Sequence, residues 1–273
     1  MPTPTQMKTT ARYRPYAWRA KVGLIVPSTN TINEPEFYRL APDGVTIHTG
    51  RAINAGPATQ ENYDRMARGV LEAADLIKTA EVDVVAYGCT SGSIVCSLDE
   101  LCDGMSERVG VPAIATAGAV VAALRALGVR RVAVGTPYID FVNQREREFL
   151  EQYGFEVVSI EGMDLGHTQE ERRDIGRVPP QSTFQLARDI DRPQAEAIFL
   201  SCTNLATLDM IERIENELGK PVVTSNQATF WACLRLLGLS CAIPGYGRLL
   251  TDCLAPITRA SYALALEHHH HHH

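Results

Sequence analysis

The sequence predicts an α/β fold in which mostly parallel strands alternate with amphipathic helices. Short β-branched segments recur from residue 21 onward, and segments of helical length separate them, with apolar residues spaced three and four positions apart. Strand and helix alternating this often favours a parallel sheet with helices on both faces. An internal repeat of about 110 residues further predicts that one such unit occurs twice.

The predicted strands are short runs of β-branched and other apolar residues, several of which stop at a proline or a Cys-Thr pair. They are the segments 22–26, 82–87, 112–116, 131–136, 155–160, 196–201 and 221–225. The predicted helices carry their apolar residues on one face, as a helix packed on a sheet requires. They include the segments 61–80, 117–128, 140–154 and 206–219.

Matching residues at the strand ends reveal the internal repeat. Pro27 and Pro137 each stop an apolar strand, and Cys89 and Cys202 each begin a Cys-Thr pair between a strand and a helix. Two open α/β units tend to pack about a pseudo-twofold axis, and parallel sheets bind ligands beyond the carboxyl ends of their strands. We therefore expect Cys89 and Cys202 to meet across one cleft.

The repeat also predicts the domain boundaries. Residues 21–128 together with 226–260 form the first flavodoxin-like lobe, and residues 129–225 form the second. Residues 1–20 are basic and aromatic, and we expect them to be a flexible N-terminal arm or an assembly contact. Residues 266–273 read Leu-Glu followed by six histidines, which is typical of an expression tag.

Composition narrows the class of function. Hydrophobic residues make up 45% and charged residues 21% of the 273 residues, and the net charge is −6 at pH 7, which argues against a nucleic-acid partner. No apolar run reaches the roughly 18 residues that span a bilayer, and the first twenty residues lack a signal-peptide core. We therefore expect no membrane contact, a cytoplasmic location, and reduced thiols for the seven cysteines.

The sequence carries no motif for a metal or a nucleotide cofactor. His48 and His167 are the only histidines outside the tag, and no Cys/His set has the spacing of a metal site. Neither a dinucleotide-binding nor a phosphate-binding glycine motif occurs. We therefore predict no metal and no cofactor.

The two strand ends that carry the cysteines combine a thiol with an anion site. Backbone N–H groups at the start of a helix and neighbouring hydroxyl groups form a cradle for a carboxylate, and the same helix end favours thiolate over thiol. A buried free cysteine is also a common small hydrophobic residue, and we keep that interpretation for the other five cysteines. The predicted residues are Cys89, Thr90, Ser91, Cys202, Thr203 and Asn204.

The loop after the first predicted strand adds Pro27, Ser28 and Asn30 at the same sheet edge. Asn30 can donate to a substrate carboxylate, although Pro-Ser-Thr-Asn is also an ordinary turn and helix-capping sequence. Tyr138 follows the equivalent loop of the second repeat and is either a substrate contact or a half-buried structural tyrosine. His167, in the polar segment 162–176, either belongs to a cover over the cleft or is an exposed loop residue.

Two opposed thiols around a small acid permit addition and proton-transfer chemistry. One thiolate removes a proton or adds to an alkene carbon, while the other group, as thiol, delivers a proton from the opposite face. Neither step needs a metal or a cofactor. The predicted ligand is a small mono- or dicarboxylate, and assembly into a homo-oligomer is left open.

Several motifs together resemble a known superfamily. They are the paired Cys-Thr strand ends, the Val-Pro-Ser-x-Asn opening, Thr-Pro-Tyr-Ile-Asp, and the closing Pro-Gly-Tyr-Gly-Arg-Leu. From about Lys21 to Leu250 the chain resembles the aspartate/glutamate racemase superfamily, specifically its maleate isomerase and arylmalonate decarboxylase branch. The resemblance implies a two-lobed α/β enzyme that works without a cofactor.

The resemblance assigns roles to matched positions. Cys202 matches the cysteine that delivers a proton, and Cys89 matches a second cysteine that the isomerases and racemases have and the decarboxylases replace by glycine. Asn30 and Tyr138 match residues that contact a carboxylate in the maleate isomerases. Thr90 and Ser91 match hydroxyl residues that hold a carboxylate in the decarboxylases.

We expect an isomerase of a small carboxylic acid, with maleate-type cis–trans isomerisation as the leading hypothesis. A racemase of the aspartate, glutamate or hydantoin type is the first alternative, because two cysteines can act as base and acid at one stereocentre. An arylmalonate-type decarboxylase using Cys202 alone is the second. A non-catalytic carboxylate-binding protein is the third, because a fold does not fix a function.

Overall fold

The computed structural model describes residues 14–258 and contains two four-stranded parallel sheets. The first sheet is formed by β1 (Ala20–Pro27), β2 (Val45–Ala52), β3 (Val84–Tyr87) and β4 (Ala113–Ala115). The second is formed by β5 (Arg131–Thr136), β6 (Glu156–Gly162), β7 (Ala197–Leu200) and β8 (Val222–Thr224). The strand orders, β2-β1-β3-β4 and β6-β5-β7-β8, are equivalent. The predicted α/β class with two related parallel sheets is confirmed.

Helices connect the strands in both halves. In the first half they are α1 (Asn33–Leu40), α2 (Gln60–Lys78), α3 (Thr90–Val95), α4 (Leu98–Val109) and α5 (Thr116–Ala126). In the second half they are α6 (Asp140–Gln152), α7 (Gln169–Asp174), a 3-10 turn (Ile175–Arg177), α8 (Pro180–Ile190) and α9 (Leu208–Leu218). After β8 come α10 (Ser225–Leu236) and α11 (Arg248–Asp252).

Local sequence signals start and stop these helices. The Ser97 hydroxyl accepts a hydrogen bond from the Glu100 N–H at the start of α4, and Gly110 ends that helix in the left-handed conformation. Thr224 and Gln227 form a reciprocal capping box at the start of α10. The second of these caps places the start of α10 directly after the carboxyl end of β8.

Strand β2 is the one strand that the sequence pattern did not predict. It lies at the edge of the first sheet and pairs only with β1, and about half of its side chains are partly exposed. A half-exposed edge strand has polar residues, such as His48, where a central strand has apolar ones. Its composition therefore gives a weaker signal than that of β1 or β3.

Helix α10 joins the two halves. It follows β8 of the second sheet but packs mainly against α5 and α1 of the first half, and nearly all of its residues are buried.

The division of the chain into lobes at residues 128 and 225 stays a prediction. Residues 1–13 of the proposed N-terminal arm and all of the tag lie outside the described residues. Among residues 14–258, no helix has the length and apolar character needed to cross a bilayer.

Glu36 ties the first half to the second. This α1 carboxylate accepts hydrogen bonds from the Leu208 N–H at 3.0 Å, the Thr207 N–H at 3.2 Å and the Asn226 side-chain amide at 2.8 Å. Burial raises the pKa of Glu36, and the hydrogen bonds from Asn226, Leu208 and Thr207 oppose that rise. The carboxylate therefore caps the start of α9 across the boundary between the halves.

We expect Glu36→Ala to lower the free energy of unfolding by about 3 kcal/mol, because three buried donors lose their shared acceptor. The measurement is urea unfolding followed by circular dichroism. Glu72→Ala, at an exposed position of α2, is the matched control and should change stability by less than about 0.5 kcal/mol. Equal stability of the two variants would contradict a clamping role for Glu36.

Candidate active site

One cavity lies at the carboxyl ends of both sheets, and both candidate cysteines line it. The predicted site residues that line this cavity are Pro27, Asn30, Cys89, Thr90, Ser91, Tyr138, Cys202, Thr203 and Asn204. The sequence analysis missed nine further lining residues, which are Thr29, Asn54, Ala58, Tyr63, Val142, Leu165, Gly166, Arg172 and Ile175. The structure therefore brings the strand ends of the two repeats to one space.

Cys89 stands at the start of α3. Its Sγ accepts a hydrogen bond from the Gly92 N–H at 3.2 Å and lies 3.8 Å from the Ser91 hydroxyl. A Cβ on residue 92 would lie only 2.9 Å from this sulfur, so glycine is needed for the close approach. The sulfur thus takes the place of a helix-capping oxygen and has donors positioned for a negative charge.

Cys202 has a different environment from Cys89. Its backbone adopts a φ of 114°, a strained conformation for a residue with a side chain, and its N–H donates to the Ser225 hydroxyl at 2.9 Å. Its Sγ accepts a hydrogen bond from the Asn204 N–H at 3.4 Å. Burial raises the pKa of Cys202 to about 12, and the Asn204 N–H and the Tyr138 hydroxyl offset only part of this. At neutral pH Cys202 is a thiol, the form that donates a proton.

Hydroxyl groups join the two cysteine loops across the boundary between the halves. The Thr203 hydroxyl donates to the Gly88 carbonyl at 2.9 Å. The Thr90 hydroxyl lies 2.6 Å from the Ser225 hydroxyl. Ser225 also accepts a hydrogen bond from the Cys202 N–H. When the Ser225 hydroxyl donates its own proton to the Thr90 oxygen, the Thr90 O–H is free to donate into the cavity.

Asn30 combines a structural contact with a place in the cavity. Its side-chain oxygen accepts from the Ile32 and Asn33 N–H groups, both at 3.0 Å, and so caps α1. Its side-chain nitrogen donates one hydrogen bond to Thr203 at 3.0 Å. The amide has a second N–H that this bond does not use. The capping and substrate-binding interpretations of Asn30 are thus compatible.

The structure does not bring Ser28 into the cavity, which corrects the prediction from the sequence. Ser28 is exposed, and its hydroxyl accepts from the Asn54 N–H at 2.9 Å. The turn after β1 directs the next residue, Thr29, to the cavity instead. Asn54 lines it as well and donates to the Thr29 hydroxyl at 2.8 Å.

Three buried polar side chains cluster beside Cys202. They belong to Tyr138, Glu146 and Ser201, and within residues 14–258 neither the two hydroxyl groups nor either carboxyl oxygen has a partner at hydrogen-bonding distance. Burial raises the pKa of Glu146 to about 8, with only partial opposition from the Ser201 hydroxyl. Burial also raises the pKa of Tyr138 well above its ordinary value. At neutral pH the cluster is therefore largely neutral and can donate protons.

The segment 162–176 covers one side of the cavity. Leu165, Gly166, Arg172 and Ile175 line the cavity from this segment. His167 does not line it, because its ring is exposed and lies 2.7 Å from the Asp164 carboxylate, a contact that raises the pKa of His167. Of the two interpretations of His167, the structure shows the exposed loop residue.

Arg172 is the most consequential residue that the sequence analysis missed. It is 9% exposed, lies in the short helix α7, and places a cation at a cavity that otherwise holds neutral polar and apolar side chains. The neighbouring Arg173 is exposed.

Among the residues that the structure describes, His, Cys, Asp and Glu side chains form no group of three that could hold a metal ion.

The amino-acid sequence is similar to that of known proteins over most of its length. Residues 22–250 match the family model described as arylmalonate decarboxylase. Over 237 residues the chain is 37% identical to the arylmalonate decarboxylase of Bordetella bronchiseptica, an alignment that covers 85% of this chain and 96% of that protein. The share covered shows that the similarity extends over both halves.

Solved structures of maleate isomerases are also similar to this chain. A cysteine-to-alanine variant of the Pseudomonas putida S16 maleate isomerase with maleate has a TM-score of 0.78 and 27% identity, covering 85% of this chain and 97% of that one. A cysteine-to-serine mutant of the Nocardia farcinica maleate cis-trans isomerase with a covalently bound succinylcysteine intermediate has a TM-score of 0.79 and 25% identity, covering 85% and 98%.

We expect the stability contributed by Glu146 to depend on pH. Its pKa is about 8 in the folded protein and lies near its ordinary value of 4.5 in the unfolded chain, so the folded protein loses stability as pH rises from 4.5 to 8. Relative to wild type, Glu146→Gln should gain about 4 kcal/mol of stability across this range.

The measurement is the free energy of urea unfolding at several pH values. Glu148→Gln, at an exposed position of the same helix, is the control and should follow the wild-type curve. A Glu146→Gln curve parallel to that of the wild type would show that the Glu146 carboxyl titrates normally.

Proposed function

The chain belongs to the arylmalonate decarboxylase family, and from this premise we propose that it is a cofactor-independent isomerase of a small carboxylic acid. Maleate-type cis–trans isomerisation, with Cys89 and Cys202 as the catalytic residues, is the reaction that its site supports best. The observation that carries the proposal is the pair of cysteines at one cavity in unequal environments. Burial holds Cys202 as a thiol, and the Cys89 sulfur takes the place of a helix-capping oxygen at the start of α3.

In the proposed first step, the Cys89 thiolate adds to one carbon of the double bond. A carbon–sulfur bond forms, and the electron pair of the double bond moves toward the carboxylate on the neighbouring carbon. The Cys202 thiol then gives its proton to that neighbouring carbon. The result is a saturated thioether on Cys89 and a thiolate on Cys202.

The second half of the proposed reaction reverses these steps after a rotation. The former double bond is now single, so the two carboxylate-bearing ends turn about it. The Cys202 thiolate takes back a proton, the double bond forms again in the trans geometry, and the Cys89 thiolate leaves. Atoms, protons and electrons balance without an external reactant. Both sulfurs must stay unoxidised, so we place the enzyme in a reducing compartment such as the cytoplasm.

Donors at the cavity would stabilise the negative charge that develops on the substrate. A carboxylate next to the reacting carbon becomes enediolate-like when the sulfur adds, and fixed N–H and O–H donors lower the energy of that state. The helix start at Thr90 and Ser91 offers first-turn N–H groups without helical partners. The Thr90 and Tyr138 hydroxyl groups and the second Asn30 N–H are further donors at this cavity.

Decarboxylation of an arylmalonate is the second candidate, favoured by the 37% identity to the Bordetella bronchiseptica enzyme. Such a reaction needs one proton donor, a role that Cys202 fits. Cys89 would have no role in it, so Cys89→Gly would keep the activity.

A racemase, by contrast, needs both cysteines but acts on a saturated substrate. It would exchange the α-hydrogen of that substrate with solvent deuterium.

We expect Cys89→Ser and Cys202→Ser each to reduce turnover of maleate at least about a thousandfold, because each removes one of two groups that act in succession. The measurement is fumarate formation followed by proton NMR. Cys241→Ser, a partly buried cysteine away from the cavity, should keep wild-type turnover. Near-normal turnover in either catalytic variant would rule out the two-cysteine mechanism.

The two variants should also differ in covalent trapping. Incubated with maleate, Cys202→Ser should gain the mass of one substrate molecule on the peptide that contains Cys89, because water can protonate the adduct in place of the thiol, and elimination is slow without the Cys202 thiolate as base. Cys89→Ser should gain none. Intact-protein and peptide mass spectrometry measure both. An adduct on Cys202 in the Cys89→Ser protein would reverse the proposed roles.

A further inference from the structure

Arg172 is a buried cation at the cavity that the proposed mechanism leaves without a role. It is 9% exposed and lies in α7, within the segment that covers the two cysteines. A buried guanidinium is stable only when its charge is paired and its N–H groups are hydrogen-bonded. The partners of Arg172 in the folded protein therefore indicate whether a ligand has to supply a negative charge.

The contacts of Arg172 leave its charge unpaired. Its Nη1 donates to the carbonyl oxygens of Gly56 at 3.3 Å and Pro57 at 3.4 Å. Its guanidinium carbon lies 5.2 Å from the centre of the Tyr63 ring, within range of a cation–π contact. In the part of the chain that the structure describes, no Asp or Glu carboxylate lies within ion-pair distance of Arg172. Carbonyl dipoles and an aromatic face offset only part of the cost of burying a full charge.

The charge of Arg172 acts in the same space as the two sulfurs. Burial raises the pKa of Tyr63 to about 12, and the Arg172 cation is the first influence that opposes the rise. Negative charge on Cys89 or Cys202 acts on the same tyrosine in the opposite direction. Tyr63 also lines the cavity, so the Arg172 cation and the two cysteines act on one residue of the same site.

We propose that Arg172 binds a second carboxylate of the substrate and so selects dicarboxylates over monocarboxylates. This inference rests on the proposed function and adds to it the residue that binds the second carboxylate. One carboxylate would be held by the donors near Thr90, the double bond would lie between the sulfurs, and the other carboxylate would pair with the guanidinium. The planar fork of arginine matches the two oxygens of a carboxylate, which makes the contact both strong and directional.

An aryl or alkyl group in place of the second carboxylate would fit this cavity poorly. It would cover the guanidinium without supplying a negative charge, and a buried charge that loses water without gaining a partner costs several kcal/mol. Arg172 therefore acts both for dicarboxylates and against apolar substituents.

The test compares binding of two unreactive probes of similar length, succinate and butyrate, by titration calorimetry. Arg172→Met and Arg172→Gln remove the charge, and Gln keeps a hydrogen-bond donor for the Gly56 and Pro57 carbonyls. Arg173→Met removes the same charge from an exposed position of the same helix and is the matched control. Circular dichroism verifies folding, and the KM for maleate is measured alongside.

We expect the wild type to bind succinate at least about tenfold more tightly than butyrate, and both Arg172 variants to lose about a hundredfold in succinate affinity, equivalent to 2.7 kcal/mol. Butyrate affinity should rise in both Arg172 variants, because its methyl group no longer covers a buried charge, and Arg173→Met should match the wild type. If the enzyme turns over maleate, the Arg172 variants should show a rise in the KM for maleate that parallels their loss of succinate affinity.

Two results would overturn the proposal. One is equal affinity of the wild type for succinate and butyrate, which needs no variant to fold. The other is unchanged succinate affinity in Arg172→Gln or Arg172→Met. Because the probes do not react, the outcome is separate from catalysis. Selective loss of succinate binding in the Arg172 variants of a protein that does not turn over maleate would support the Arg172 site and refute the isomerase. Turnover of maleate by a protein whose Arg172 variants bind succinate normally would support the isomerase and refute the Arg172 site.

Discussion

The polar contact between the two halves is the constraint on which the site depends. The Thr203 hydroxyl of the second half donates to the Gly88 carbonyl of the first, directly before Cys89 in the chain. The Thr90 hydroxyl of the first half meets Ser225, which in turn accepts from the Cys202 backbone. Each cysteine loop is therefore fixed by the opposite half. Together with the Glu36 contacts and the packing of α10, these bonds hold the two sulfurs at one cavity.

The two repeats supply similar sequences and yet unequal chemistry. Cys89 ends its strand in an extended conformation and caps a short helix, so a backbone N–H points at its sulfur. Cys202 occupies the equivalent place with a positive φ and lies beside a buried, largely neutral carboxyl group. A pseudosymmetric fold thus yields one sulfur suited to addition and one suited to proton donation. We attribute the proposed division of labour to local backbone geometry and to the neighbouring side chains rather than to the residue type.

The parts of the site that the sequence predicted are those fixed by local rules. A cysteine between a strand and a helix lies at the carboxyl edge of a parallel sheet wherever the sheet sits. Ser28 was misplaced because the direction of its turn depends on a contact with Asn54, far along the chain. Arg172 was missed because α7 is too short for periodicity to distinguish it from Arg173, and because its burial depends on how the segment folds over the cavity.

One small acid must touch both sulfurs at once for the proposed reaction, and a crystal structure with bound succinate tests this most directly. We expect the two central carbons of succinate to lie between Cys89 Sγ and Cys202 Sγ, with each sulfur about 3.5 Å from the nearer carbon on opposite faces. We also expect one carboxylate to face the Arg172 guanidinium. Succinate bound against a single sulfur, or outside the cavity between the two sheets, would contradict the account.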